Sequence, residues 1–460
     1  MIWTAVVLAA AGGTLRAAQH TLSIDDCRQR AMEYNLGIQM SRVQVEAAES
    51  TQQSYKAQFF PSLSFSAALM YASFEADQTI KGGYLPTFAP DASGELQPQI
   101  AGLAPDGTPI FSSYAYLPDI PLSLKMNSLL LGGLQLQQPL YLGGKVQTAY
   151  RMASTGVRLA ELSRRLQRDE VILESDKAYY QCVEARAMLA SLQQYGAMLD
   201  ELARVVSNAV EAGMAQRKDL LSVQVRQNEA ALQQQRASNA VRLATMNLCH
   251  IIGLPLTDDI AVSSEFRVEA LSERPSHDVS QRTEYAMLSE QVNLKAYEAD
   301  LEKGELRPQV GLMAMYGYAN GMKLNGDKLL DGANVMAALR VSVPILHAGE
   351  GRHKVSAADA ERRRAELQRE DMAQQMSLEM MKAGQAYEEA LQEVALTRKA
   401  VEQAEENLKV SQNRYSAGEE MMTDLLEAQT LWQKSESDHI AAQSALGLAR
   451  TTYLKALGQL

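Results

Sequence analysis

The sequence predicts a mixed α and β chain built as two tandem repeats, each pairing amphipathic strands with a very long helical hairpin. Three observations predict it. Nine of the 13 prolines fall from Pro61 to Pro139, and none lies between Pro139 and Pro255 or beyond Pro344. Proline removes a helical donor and clashes with the preceding turn, so the two proline-free tracts are where long helices can live. Each tract is interrupted once, at Gly213 and at Gly418, within the matching stretches NAVEAGMAQRKDLLSVQ and NRYSAGEEMMTDLLEAQ. Asn208, Ala212, Gly213, Asp219, Leu220, Leu221 and Gln224 recur 205 residues on as Asn413, Ala417, Gly418, Asp424, Leu425, Leu426 and Gln429. Finally, Tyr387, Val394, Val401, Leu408 and Tyr415 recur every seven residues, with Ala383, Ala390, Thr397, Ala404 and Ser411 four before each. That is a coiled-coil seam of large against small side chains, and its period implies left-handed supercoiling.

Taken in order, residues 1–18 read as a secretory signal: an apolar run from Ile2 to Ala11, then small residues, with cleavage near Ala17 or Ala18. The first repeat covers 19–254. It opens with a helix, then strands at about 61–72 and 129–141, then a helical hairpin over 145–252. In PSLSFSAALMY, Leu63, Phe65, Ala67, Leu69 and Tyr71 face one way, and Ser62, Ser64 and Ser66 the other, a period of two. LQLQQP alternates likewise, and the stretch 73–127 between them, with seven prolines, reads as irregular. A helix from Lys145 to Glu211 spans roughly 100 Å. After a linker at 255–279 the second repeat, 280–460, runs through a helix, strands at about 308–318 and 335–345 joined by a loop at 319–334, and a hairpin over 350–458. PQVGLMAMYGY puts Val310, Leu312, Ala314, Tyr316 and Tyr318 in the places of the first strand's apolar set.

Composition narrows the function. The 460 residues carry a formal charge of -11 and are 46% hydrophobic, and no Lys/Arg stripe offers a nucleic-acid surface. Cys27, Cys182 and Cys249 lack CxxC spacing and an even count, and read as buried apolar residues. No GxSxG, HExxH, Walker or strand-to-helix GxGxxG motif suggests an enzyme or a cofactor. His347 and His353, six apart, do not share a helical face. Past the leader no run of 18 apolar residues exists, so a membrane crossing would use strands. Strands of about 9–11 residues suit one, with apolar side chains facing lipid and small Ser and Gly facing a wet lumen. Four strands cannot close a barrel, because bacterial barrels start at about eight. Several chains must therefore share one.

This order of helix, QFFPSLSF strand, PLYLGG strand, long helix, AGxxxxxDLLxxQ turn and returning helix, run twice, resembles the outer-membrane efflux protein family typified by TolC, over about Thr21 to Leu460. The resemblance implies an outer-membrane β-barrel shared between subunits, four strands per chain in a homotrimer, continued by a long α-helical coiled-coil barrel in the periplasm. The implied function is the outer-membrane channel of a tripartite efflux system, a passive duct fed by an inner-membrane transporter through a periplasmic adaptor protein. A type I protein secretion channel is the alternative, and a periplasmic coiled-coil adaptor or scaffold a more distant one.

The same resemblance places acidic rings at the periplasmic constriction on Asp424 and Glu427, and fits Tyr415 and Asp219 to the gate. Three residues apart, Asp424 and Glu427 share a helix face about 4.5 Å apart along the axis. The competing reading of Asp219 and Asp424 is first-turn acids that complement the helix dipole. The arginine that the family places two residues after the second turn glycine is absent, and Glu420 stands there. Arg217, Lys218 and Arg414 are the candidate substitutes. Gly213, Met214, Gly418 and Glu419 mark the hairpin tips, where the adaptor would dock.

Overall fold

The computed structural model describes residues 21–257, 260–262, 266, 268, 271, 277–346 and 348–460. The expected leader, much of the expected linker 255–279, and His347 lie outside the described residues. Two compact units divide the chain, and each draws on both repeats. One holds Gln53–Tyr150 and Asp300–Val355, the other Met1–Gln52, Arg151–Ala299 and Ser356–Leu460.

The first unit is built on four long antiparallel strands, β1 (Ser62–Ile80), β8 (Ile120–Leu142), β9 (Gln309–Leu324) and β10 (Asp327–Ser342), in the order β1-β8-β9-β10. Register turns the alternation of each strand into rows across the sheet. Phe65, Leu134, Tyr316 and Val335 stand side by side, as do Leu63, Leu136, Ala314 and Ala337. The opposite face carries Ser64, Gln135, Met315 and Met336, and beside them Ser66, Gly133, Gly317 and Asn334. Phe65 is 70% exposed and Val335 77%, so nothing among the described residues covers the apolar face.

Two connections differ from expectation. Residues 73–127 are not irregular: β1 and β8 run on to pair Ile80 with Ile120. Between them lie β2 (Gly83–Pro86), β3 (Phe88–Pro90), β4 (Leu96–Pro98), β5 (Ile100–Leu103), β6 (Pro109–Phe111) and β7 (Tyr114–Leu117). Of the prolines there, Pro86, Pro90, Pro98 and Pro109 sit in short ribbons with little ladder to disrupt, Pro105 and Pro118 lie between strands, and Pro121 is at the start of β8. Residues 319–334 are mostly strand as well, and the chain reverses at Asn325-Gly326, with φ of 52° and 88°. An Asn-Gly pair at positive φ is the preferred two-residue hairpin turn, because its twist matches the strands it joins.

The second unit is helical. Of the helices, α1 (Ile24–Tyr34), α2 (Leu36–Ala57) and α5 (Thr283–Glu305) are short beside α3 (Lys145–Glu211), α4 (Arg217–Ile251), α6 (Glu350–Ser416) and α7 (Met422–Ala456). Both α3 and α6 have 67 residues, and both α4 and α7 have 35. Each of the four starts 205 residues from its counterpart, so the tandem repeat extends to helix length. The heptad seam is buried or half-buried along α6, with Tyr387, Ala390, Ala404, Leu408 and Ser411 inside. One core packs Cys27 and Ala31 of α1 with Val171, Tyr179, Cys182 and Val183 of α3, and Leu248 and Cys249 of α4. A buried ionic link ties three helices. Asp176 of α3, fully buried, accepts from Arg28 Nε of α1 at 2.7 Å and from Thr451 Oγ1 of α7 at 2.6 Å.

Candidate functional site

Both hairpin turns are closed by one device. The N–H of Met214 donates to Ala209 at 2.8 Å and that of Gly213 to Val210 at 3.0 Å, while Glu419 donates to Arg414 at 2.9 Å and Gly418 to Tyr415 at 3.0 Å. Glycine is needed because φ reaches 75° at Gly213 and 77° at Gly418, the left-handed end of a helix that satisfies its last carbonyls in this way. Beneath the turns a single core draws on both hairpins: Leu199, Leu202, Val206 and Val223 from the first, and Leu408, Met422, Leu425, Leu426 and Trp432 from the second. The two tips are thereby brought together.

The acid followed by two leucines now has a physical reading. In α7 Leu425 and Leu426 are buried, while Asp424 and Glu427 are exposed on the opposite side. Their stripe continues through Leu431, Lys434, Asp438 and Ala441, all exposed at alternating three- and four-residue steps. This one helix face is left free along several turns, and its lower end carries two carboxylates.

In the first hairpin Asp219 does something else. Its carboxylate accepts from the Gln216 N–H at 3.3 Å, satisfying an orphan donor at the start of α4. Tyr415 packs against the tip core, where burial and then the charge of Asp219 push its phenol above the ordinary value. The structure therefore brings Tyr415 and Asp219 into one neighbourhood. Met214 is 80% exposed, and Gly213, Gly418 and Glu419 are also exposed at the turns.

Glu420 is turned inward on its own hairpin. Ser411 Oγ donates to it at 2.7 Å and Arg414 lies 4.0 Å from its other oxygen. Arg414 is thus drawn to Glu420. Arg217 and Lys218 are exposed at the first two positions of α4, where a cation opposes the helix dipole by a few tenths of a kcal/mol. The sequence did not suggest that Glu420 would be held locally; an acid nine residues after a serine across a turn carries no pattern.

Comparison with known proteins fits this geometry. The family model described as outer membrane efflux protein matches residues 112–254 and 282–459. The chain belongs to the outer membrane efflux protein family. Among curated relatives, Protein CyaE of Bordetella pertussis is 24% identical over 341 residues, covering 68% of this chain and 70% of CyaE. Alkaline protease secretion protein AprF of Pseudomonas aeruginosa is 23% identical over 338 residues, covering 71% and 68%. The fold is shared with the Campylobacter jejuni CmeC outer membrane channel at a TM-score of 0.70, 17% identity, and coverage of 100% and 94%. It is shared too with the Vibrio cholerae outer membrane protein VceC, at 0.71, 14%, and coverage of 95% and 96%. The chain is accordingly an outer-membrane protein of this family with the fold of the TolC-like channels.

Proposed function

We propose that three copies of this chain close one barrel and one helical tunnel, forming the outer-membrane duct of a tripartite efflux system. The observation that carries it is a four-stranded sheet with an apolar face uncovered among the described residues, a second face that mixes Ser, Gln, Gly and Asn with Met315 and Met336, and two open edges, β1 and β10. In lipid each unpaired backbone group at such an edge costs several kcal/mol. Pairing β1 of one copy with β10 of the next removes both edges. Substrates would be delivered by an inner-membrane pump through a periplasmic adaptor, and no catalysis is assigned to the chain. The two repeats, 19–254 and 280–460, would each supply one hairpin of strands and one of helices to every protomer.

At the periplasmic end, Asp424 and Glu427 would form two stacked acidic rings that favour cations. Purified protein in planar bilayers should conduct with cation preference; anion preference at neutral pH would remove the ring assignment. Arg217 and Lys218 are proposed as the cations that tie neighbouring copies shut, with Arg414 held back by Glu420. Charge reversal at Arg217 and Lys218 should raise open-channel time, and unchanged gating would discard them. The turns at Gly213 and Gly418 are the proposed adaptor docking points. Photo-crosslinking from Met214 and Glu419 should capture an adaptor, and failure to do so in cells carrying the intact system would remove that claim. A second reading, export of a protein by a type I system, is favoured by the likeness to AprF, whose name records alkaline protease secretion. Loss of protein export rather than of small-molecule tolerance in a deletion strain would select it.

A further inference from the structure

The segment between β1 and β8 is not used by the duct as described. Residues 83–117 form three two-stranded ribbons, β2 with β7, β3 with β4, and β5 with β6. Their turns are set locally. Asp91 accepts from the N–H groups of Ser93 at 2.8 Å and Glu95 at 3.2 Å, and Asp106 accepts from the Thr108 N–H at 3.1 Å and its hydroxyl at 2.7 Å. Yet no residue from 81 to 119 is buried. Leu96 is 69% exposed, Leu103 70% and Tyr84 73%, and the Tyr84 and Tyr116 rings lie 5.3 Å apart in the open. A two-stranded ribbon is marginal on its own and needs a packed layer. Ordered turns carrying uncovered apolar side chains mark a surface that is covered in use.

Position identifies the cover. α2 ends at Ala57 just before β1, and α3 begins just after β8, so the ribbons leave from the opposite ends of those strands, the outer side of the membrane. The pairs from Asp77–Ser123 to Ile80–Ile120 have no β9 neighbour, because β8 meets β9 only from Leu124 onward. The ribbons therefore rise beyond the β9–β10 turn, directly off β1, the edge strand. Between Gly83 and Leu117 the charged residues are Asp91, Glu95 and Asp106, with no Lys or Arg, which disfavours anionic lipid headgroups as the occupant.

We propose that the ribbons of neighbouring copies pack on one another through these apolar side chains, forming a collar that narrows the outer mouth of the channel. The collar rests on the shared-barrel reading, since only that reading sets β1 of one copy beside the next. A photo-crosslinking residue placed at Leu96 or Tyr116 in the full chain, in outer-membrane vesicles, should yield bands of two and three linked chains. Replacing 83–117 by a short Asn-Gly turn should leave the native mass of the assembly unchanged and raise single-channel conductance roughly twofold or more. An intact assembly that yields no link between copies, or that links instead to lipopolysaccharide or another protein, would overturn the collar and leave the barrel standing. Unchanged conductance in a correctly assembled replacement would also overturn it. A chain that proves monomeric in the membrane would sink the shared barrel, and the collar with it. Should the replacement not assemble, the full-chain crosslink still decides.

Discussion

Asp176 of α3 joins two other helices of the helical unit through one side chain. It is fully buried and holds Arg28 and Thr451 from two other helices. Breaking a buried pair by removing one partner strands the other charge, at about 3–5 kcal/mol. Asp176→Ala should therefore lower the unfolding free energy by that amount, read from denaturant titration, and make α1 accessible to protease; Thr451→Val, which removes one neutral donor, should cost about 1 kcal/mol. An Asp176→Ala protein as stable as the parent would contradict the link. The thiol of Cys27 is a second test. Burial, with Asp26 next, pushes its pKa from 9.0 to about 12. Below 9.0 both folded and unfolded chains keep the proton. Between 9.0 and about 12 the unfolded chain loses it while the folded one holds it, so stability falls as pH rises through that window. Thiol reagents at neutral pH should leave the native protein unlabelled, and rapid labelling would show that Cys27 is not buried as described. For the proposed acidic rings, Asp424→Asn with Glu427→Gln should reduce cation preference several-fold while leaving stability nearly unchanged, because both side chains are exposed. Asp219, Asp424 and the turn glycines stood out because the chain repeats them, whereas Glu427, whose counterpart is Ser222, was named from the family resemblance. The Arg28–Asp176–Thr451 link was not legible, since its members lie 148 and 275 residues apart and neither spacing has a periodicity to reveal it.

Among the elements, two glycines in the long helical hairpins predict different failures for the same substitution. At Gly418 a Cβ would meet nothing within 4 Å, but φ is 77°, so Gly418→Ala is a strain effect of about 1–2 kcal/mol. It should loosen the turn without disturbing the core beneath. At Gly447 of α7 a Cβ would stand 2.4 Å from the Tyr180 ring of α3. Gly447→Ala should cost about 1–3 kcal/mol by forcing the two helices apart, and Tyr180→Leu on the same background should restore part of it. Equal effects at both positions, measured by thermal melting, would refute the distinction. The helices themselves were readable from proline placement and the seven-residue seam, which local rules determine. Strand lengths were not. β1 and β8 run on through residues 73–80 and 120–128, whose only proline is Pro121 and whose mixed charged and polar side chains lack a clean alternation, because cross-strand pairing rather than propensity sets how far a ladder extends. The Asn325-Gly326 turn was legible in principle as a two-residue hairpin signal, and reading 319–334 as a loop missed it.

For the whole molecule, the repeat of 205 residues doubles one motif, but a single chain still presents a sheet with two open edges and an uncovered apolar face. On the proposed reading, other copies resolve both. Native mass measurement of the detergent-extracted protein tests this most directly. A detergent-bearing particle of three chains is expected, each 50.5 kDa less the leader, and it should come apart when the backbone pairing of β1 or β10 is blocked by proline. A monodisperse single chain that stays soluble with no bound detergent would contradict it.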